Sequence, residues 1–271
     1  MIETNTINSR GKSIIGKIDH LSASTILGMK TCAKAIYFKK ILGLTNKTQY
    51  ARTVFGLSVH YALEQYGRYY IENEEVLDKN ITYTHFEKYF LEHSKEITIW
   101  GNKDTFDSMV QAGKDAINIF YEKFAYKLKP LSVECGFIIE RGKNKLPIIG
   151  YQDLITEDGC IYDYKCALSS NPSKYICNMT IYAWDFFNKN KVMPKKVATI
   201  AAKWKQKDKK YYFADWEEHI LPIDEKYLTY VKSECDDTEK MIDANVFNRA
   251  EAGCGLCKNC GYREECGVVI L

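Results

Sequence analysis

The stretch Leu146-Pro-Ile-Ile-Gly150-Tyr-Gln-Asp153-Leu-Ile-Thr-Glu-Asp-Gly-Cys160-Ile-Tyr-Asp163-Tyr-Lys165-Cys166 decides the fold. Residues 146–155 and 160–166 are short runs rich in branched and aromatic residues, separated by the turn signal Asp158-Gly159. They predict two strands of a hairpin. Asp153 closes the first strand. Asp163 and Lys165 stand two apart in the second, so both point to one face. The hairpin brings Asp153 beside Asp163, and two carboxylates and an ammonium converge. Such a grouping is expensive unless it holds a cation. Carboxylate oxygens suit hard ions such as Mg²⁺ or Mn²⁺. The lysine would orient a water or help deprotonate it, which makes this a pattern for metal-assisted phosphodiester hydrolysis. An isolated D-x-K is more often a surface ion pair. Here Ile148, Ile149, Leu154, Ile155, Ile161 and Tyr162 bury the strands that carry it.

Helical spacing dominates on the N-terminal side. An amphipathic helix is predicted from Ser24 to about Leu42, capped by Ser22 or Ser24. Residues 54–72 place Phe55, Val59, Leu63 and Tyr66 at helical intervals. Two more helices fit 83–97 and 105–127. In the 54–72 helix, His60 and Glu64 share a face. A lone histidine there is more often a core residue; the alternative is a third metal ligand beside the two carboxylates. Gly56, one turn earlier, permits close approach of another segment. Strands are predicted at 131–140, 196–204 and 210–218, and helices at 173–188 and 224–246. Helices first, then a mixed sheet interrupted by a helix, make an α/β chain with no evident linker.

The whole sequence agrees with a folded chain. Its 271 residues contain 46% hydrophobic and 27% charged residues, which excludes disordered and fibrous classes. Residues 1–20 are polar and expected to be loose. There is no secretory h-region and no membrane-spanning run, so the expected location is cytoplasmic, in a bacterial, archaeal or phage-infected cell. Ten cysteines in a reducing compartment read as core thiols plus a metal or cluster site. The net charge of +3 is uninformative, but charge is segregated. Residues 189–210 hold nine lysines and one acid; residues 215–243 hold ten acids and three lysines. The first is either a solvated hairpin or a ribbon touching a phosphate backbone, with Lys205, Lys207, Lys209 and Lys210 as candidate contacts. In the tail, Cys254, Cys257, Cys260 and Cys266 have ligand spacing, and taken alone they fit a four-cysteine zinc site.

The ordered set of motifs resembles the PD-(D/E)XK nuclease superfamily, and within it the RecB-type branch. The set comprises Gly56-x-x-x-His60 in a helix, Gly150-x-x-Asp153 in a strand, Asp163-x-Lys165 in the next, and a helix carrying Tyr182. Leu21-Ser-Ala-Ser24, Cys32, Tyr37 and the cysteine tail are also similar to that branch. The resemblance spans about Ser22 to Cys266. It implies an α/β core of the restriction-endonuclease type, a mixed central sheet flanked by helices, with one nuclease domain over 21–271. It implies a divalent metal, Mg²⁺ or Mn²⁺, held by His60, Asp153, Asp163 and the Tyr164 carbonyl, with Lys165 as the catalytic lysine. Glu134 is either an outer acidic member of the site or a strand-edge surface residue. Asn178 and Tyr182 fill the family's Q-x-x-x-Y frame, with Asn in place of Gln, in a helix expected to meet the DNA or the site.

The same resemblance selects Cys32, Cys257, Cys260 and Cys266 for a [4Fe–4S] cluster and leaves Cys254 over. Segments 21–45 and 253–271 then form the iron–sulfur part, and a link across so long a loop stabilises the fold. The implied function is a metal-dependent DNA exonuclease acting on single-stranded or end-containing DNA. It is similar to the CRISPR-associated exonuclease of spacer acquisition and its phage-encoded relatives, and would work with a helicase, recombination or integrase partner. Two rival readings stand beside it. One is a non-catalytic DNA-binding module with a structural zinc or cluster. The other is a complex subunit that docks through the acidic helix at 224–243.

Overall fold

The computed structural model describes residues 16–101, 104–168, 171–251 and 254–267. Expectations that fall on 1–15, 253 and 268–271 lie outside the described residues. Residues 16–20 hold no helix or strand, and Ile18 among them is buried.

Among the described residues, twelve principal elements follow one another. They are α1 (Ala23–Ile36), α2 (Ala51–Asn73), α3 (Lys79–His93), α4 (Phe106–Phe120), β1 (Pro130–Ile139), β2 (Ile148–Thr156), β3 (Cys160–Lys165), α5 (Ile176–Asn190), β4 (Lys196–Lys207), β5 (Lys210–Ile220), α6 (Glu225–Asp243) and α7 (Arg263–Cys266). Single π turns extend α1 over Tyr37–Ile41 and α4 over Tyr121–Ala125. Local chemistry explains the boundaries. Ser22 caps α1 by accepting from the Thr25 N–H at 3.1 Å. Thr105 and Ser108 form a reciprocal capping box at the start of α4. The five strands make one sheet in the order β1-β2-β3-β4-β5. β3 runs parallel to β4, and the β2–β3 and β4–β5 pairs are antiparallel. The mixed sheet flanked by helices is the expected architecture.

The chain divides into two compact units, each made of separate segments. The larger comprises Gln49–Phe137 and Tyr151–Leu228. Its core gathers Val59, Leu63, Phe86 and Phe120 of the first helices with Tyr162, Tyr164, Ala198, Ile200 and Trp216 of the sheet. Alternation along β3 and β4 therefore turns Asp163, Lys165, Thr199 and Ala201 to the opposite face, where α5 lies. Burying each large apolar side chain contributes roughly 1.5–3 kcal/mol.

The smaller unit comprises the described parts of Met1–Thr48, Ile138–Gly150 and Thr229–Leu271. Arg141, with a side chain only 3% exposed, pairs with Asp236 and Glu239 of α6. Glu239 also accepts from the Leu146 N–H at 2.7 Å. Glu234 pairs with Lys30, and Asp237 with Lys240. Four acids of the acidic helix are thus engaged within the chain, which reduces the charge available for a docking face.

Candidate active site

The hairpin of β2 and β3 turns at Glu157-Asp158-Gly159. Gly159 adopts φ +78°, and its N–H donates to the Thr156 carbonyl at 2.9 Å. This turn fixes the register, pairing Leu154 with Tyr162 and Ile155 with Ile161. One step further along, Asp153 stands across from Asp163. Asp163 is 1% exposed and forms an ion pair with Lys165 through Oδ2. Its Oδ1 accepts from the Asn178 amide at 3.3 Å, and the Tyr182 hydroxyl lies 3.5 Å away. α5 therefore delivers both candidate nucleic-acid contacts to the carboxylate, and Tyr182 is buried. Asp153 accepts from the Tyr164 N–H at 2.8 Å, with the same Oδ2 3.3 Å from His60 Nδ1.

Electrostatics follow from burial and crowding. Burial, then Asp153, raises the Asp163 carboxyl to about 6, against the opposing pull of Lys165 and His60. Burial alone would lower Lys165, but Asp163 and Asp153 outweigh it and the ammonium is raised. It sits 5.2 Å over the Tyr175 ring. In this arrangement Nζ holds its proton and acts as a donor.

A third acid arrives from β1. Glu134 has φ +46°, a left-handed conformation inside a strand. An added Cβ at Gly67 of α2 would lie 2.4 Å from Val133 Cγ1, so Val133 faces that helix closely. Glu134, the next residue, also reaches α2, because its carboxylate meets His60. Consecutive side chains of a regular strand face opposite ways; the left-handed residue removes that restriction. One ligand atom each of His60, Glu134 and Asp153 lies within 4.8 Å of the others. Burial, then Asp153, pushes the Glu134 carboxyl up to about 7. Two half-buried carboxylates this close repel, and a cation relieves the repulsion. An imidazole and two carboxylates are donors that a hard divalent ion accepts, so the residues fit a metal. Among the described residues this trio is the only such grouping, and Asp163 stands outside it. Glu64 is drawn away into an ion pair with Arg68. A Cβ added at Gly56 would meet Cys166 Cβ at 3.5 Å, an ordinary contact.

Residues 20–267 match the family model of the PD-(D/E)XK nuclease superfamily. The chain belongs to the PD-(D/E)XK nuclease superfamily. In fold this PD-(D/E)XK chain is similar to a candidate exonuclease of Eubacterium rectale whose structure has been solved. The two share 11% identity at a TM-score of 0.55, over 93% of this chain and 90% of that one. A second solved structure, SSO0001, matches at 15% identity and a TM-score of 0.31, over 80% of this chain and 85% of that one. No curated protein sequence matches.

Cys32, Cys254, Cys257, Cys260 and Cys266 of the PD-(D/E)XK chain belong to the smaller unit, whereas Cys135, Cys160, Cys166 and Cys177 belong to the larger. The backbone leaves helical geometry at Cys32, inside α1, with φ −158° and ψ 86°. Burial, then the nearby Cys254, Cys260, Cys32 and Cys266, raises the Cys257 thiol, so four cysteines lie close enough to Cys257 to act on it. The tail also packs on the N-terminal segment: Tyr262 lies 5.7 Å from the Phe38 ring, and Lys47 pairs with Glu264 and Glu265.

The lysine-rich segment separates into two parts. Lys189, Lys195, Lys196 and Lys203 pair with Asp185, Asp158, Glu218 and Glu217. Lys205, Lys207, Lys209 and Lys210 are exposed at the tip of the β4–β5 hairpin. No described helix is long and apolar enough to cross a membrane.

Proposed function

We propose that this PD-(D/E)XK chain is a divalent-metal-dependent deoxyribonuclease that digests DNA from ends. The meeting of His60, Glu134 and Asp153 beside the Asp163–Lys165 pair carries this reading. His60, Glu134 and Asp153 would hold Mg²⁺ or Mn²⁺, with Asp163 and the Tyr164 carbonyl as adjoining donors. When bound, the ion would supply Lewis acidity toward a phosphodiester. The chain's own residues do the positioning. The Tyr164 N–H and His60 fix the Asp153 carboxylate, and Asn178 and Tyr182 hold Asp163. Lys165 presents a protonated Nζ where charge develops on the phosphate. Lys205, Lys207, Lys209 and Lys210 bind the phosphate backbone.

The same proposal places the chain in the RecB-type branch, near the exonucleases of spacer acquisition. It assigns Cys32, Cys257, Cys260 and Cys266 to a [4Fe–4S] cluster, supported by the nearness of Cys32, Cys260 and Cys266 to Cys257. A titration of Mn²⁺ into metal-free protein, paired with digestion of linear and circular single strands, tests it. Saturable Mn²⁺ binding and loss of linear DNA, with circles left intact, are expected. Equal digestion of circles would make the enzyme an endonuclease. Absence of both binding and cleavage would remove the catalytic reading.

A further inference from the structure

We propose that the outward face of the β4–β5 hairpin is a track for a single DNA strand, with Tyr212 as its base-stacking platform. The track rests on the nuclease reading above and adds to it where the strand runs. Strand register defines the face. Asp163 pairs with Thr199, and Lys165 with Ala201, so these side chains share a face of the sheet. Two-residue alternation along β4 carries that face on to Lys203 and, past the irregularity in the β4–β5 pairing at Lys203/Trp204, to Lys205 and Lys207, because Trp204 still packs inward on Phe55. Across the hairpin, Lys205 pairs with Tyr212 and Lys207 with Lys210. The face holding the catalytic Asp163 and Lys165 therefore continues past Lys203, which pairs with Glu217, into Lys205, Lys207 and Lys210, which have no acidic partner among the described residues, and Tyr212, 45% exposed. β3 ends at Lys165, whereas β4 runs on to Lys207. At ~3.3 Å per residue, Lys205 lies about 13 Å and Lys207 about 20 Å along the strand from the level of Lys165.

The opposite face explains why this ribbon keeps its position. Trp204 and Tyr211 point inward, and the Arg52 guanidinium lies 4.4 Å and 5.1 Å from their rings. Arg52 is itself paired with the buried Asp104 at 2.7 Å. The Trp204 indole N–H donates to the Cys166 carbonyl at 3.1 Å, which ties β4 to the residue after Lys165. One face of the hairpin is thus packed, and the other offers ammonium groups around an open phenol ring. Lysines that follow a backbone, with an aromatic face for bases, suit a single strand. A duplex keeps its bases stacked on each other and cannot use the ring.

The test compares wild type, Tyr212→Val and Tyr212→Phe, in Ca²⁺ without Mg²⁺ or Mn²⁺. The probes are an oligothymidylate, an abasic strand of equal length and a duplex. Valine keeps the strand propensity and phenylalanine keeps the ring. The expected result is roughly tenfold weaker oligothymidylate binding by Tyr212→Val, full recovery by Tyr212→Phe, and no difference among the three proteins on the abasic strand. Unchanged oligothymidylate binding by Tyr212→Val overturns the track, as does equal weakening on intact and abasic strands. Cleavage by wild type in Mn²⁺ is measured alongside. If wild type cleaves DNA and the Tyr212 result is negative, only the track falls. If wild type neither binds nor cleaves DNA, the nuclease reading falls with it.

Discussion

Glu134 concentrates the residue-scale argument. A non-glycine residue with φ +46° costs of order 1–3 kcal/mol and persists where the surroundings demand it. Here the surroundings are His60 and Asp153. Asparagine tolerates the left-handed region and lacks the charge. Glu134→Asn should therefore melt no lower than wild type in the absence of metal, yet lose the rise in Tm that Mn²⁺ gives to wild type. Ligand at a hundredfold excess over Kd contributes about 2.7 kcal/mol, enough for a clear shift by scanning calorimetry. A variant that still gains the full shift would exclude Glu134 from the metal site. Legibility at this scale was uneven. Asp153, Asp163 and Lys165 could be placed because Asp158-Gly159 fixes one register. Glu134 could only be weighed against a surface role, because nothing in Leu131-Ser-Val-Glu134-Cys-Gly-Phe announces a left-handed residue. An acid inside an apolar strand was the one available signal.

At the scale of elements, the α2–β1 contact positions the site. An added Cβ at Gly67 would fall 2.4 Å from Val133 Cγ1, so Gly67→Ala forces the strand away from the helix. The expected loss is about 1–3 kcal/mol in urea unfolding, with weakened Mn²⁺ binding because Glu134 moves from His60. Wild-type stability and metal affinity together would show that β1 is free to shift without consequence. Helix and strand identities were legible from periodicity, and the ends moved by only a few residues. The pairing of charges was not. Lys189 with Asp185 is a helical i,i+4 pair that spacing can suggest, but Lys195 finds Asp158 across 37 positions. The nine lysines allowed either a solvated hairpin or a basic ribbon, and four of them turn out to be paired with acids.

For the whole molecule, the two units come from interleaved segments, so no linker composition marks their boundary. In the smaller unit the cysteine proposal makes a sharp prediction. Cys32→Ser should lower iron content and thermal stability as severely as Cys257→Ser, and Cys254→Ser should leave both near wild type. Loss of metal in Cys254→Ser with retention in Cys32→Ser would indicate a local tail site, of the zinc kind. In the larger unit, the central claim is that the Asp163–Lys165 face hydrolyses DNA. The direct measurement is single-turnover cleavage of end-labelled linear DNA in Mn²⁺ by wild type and Lys165→Met, with circular dichroism and Mn²⁺ affinity verified for both. Methionine preserves the aliphatic stem and removes the ammonium. Cleavage by wild type and a fall of at least about 100-fold in the variant are predicted. A folded, Mn²⁺-binding Lys165→Met protein that cleaves at the wild-type rate would contradict the account.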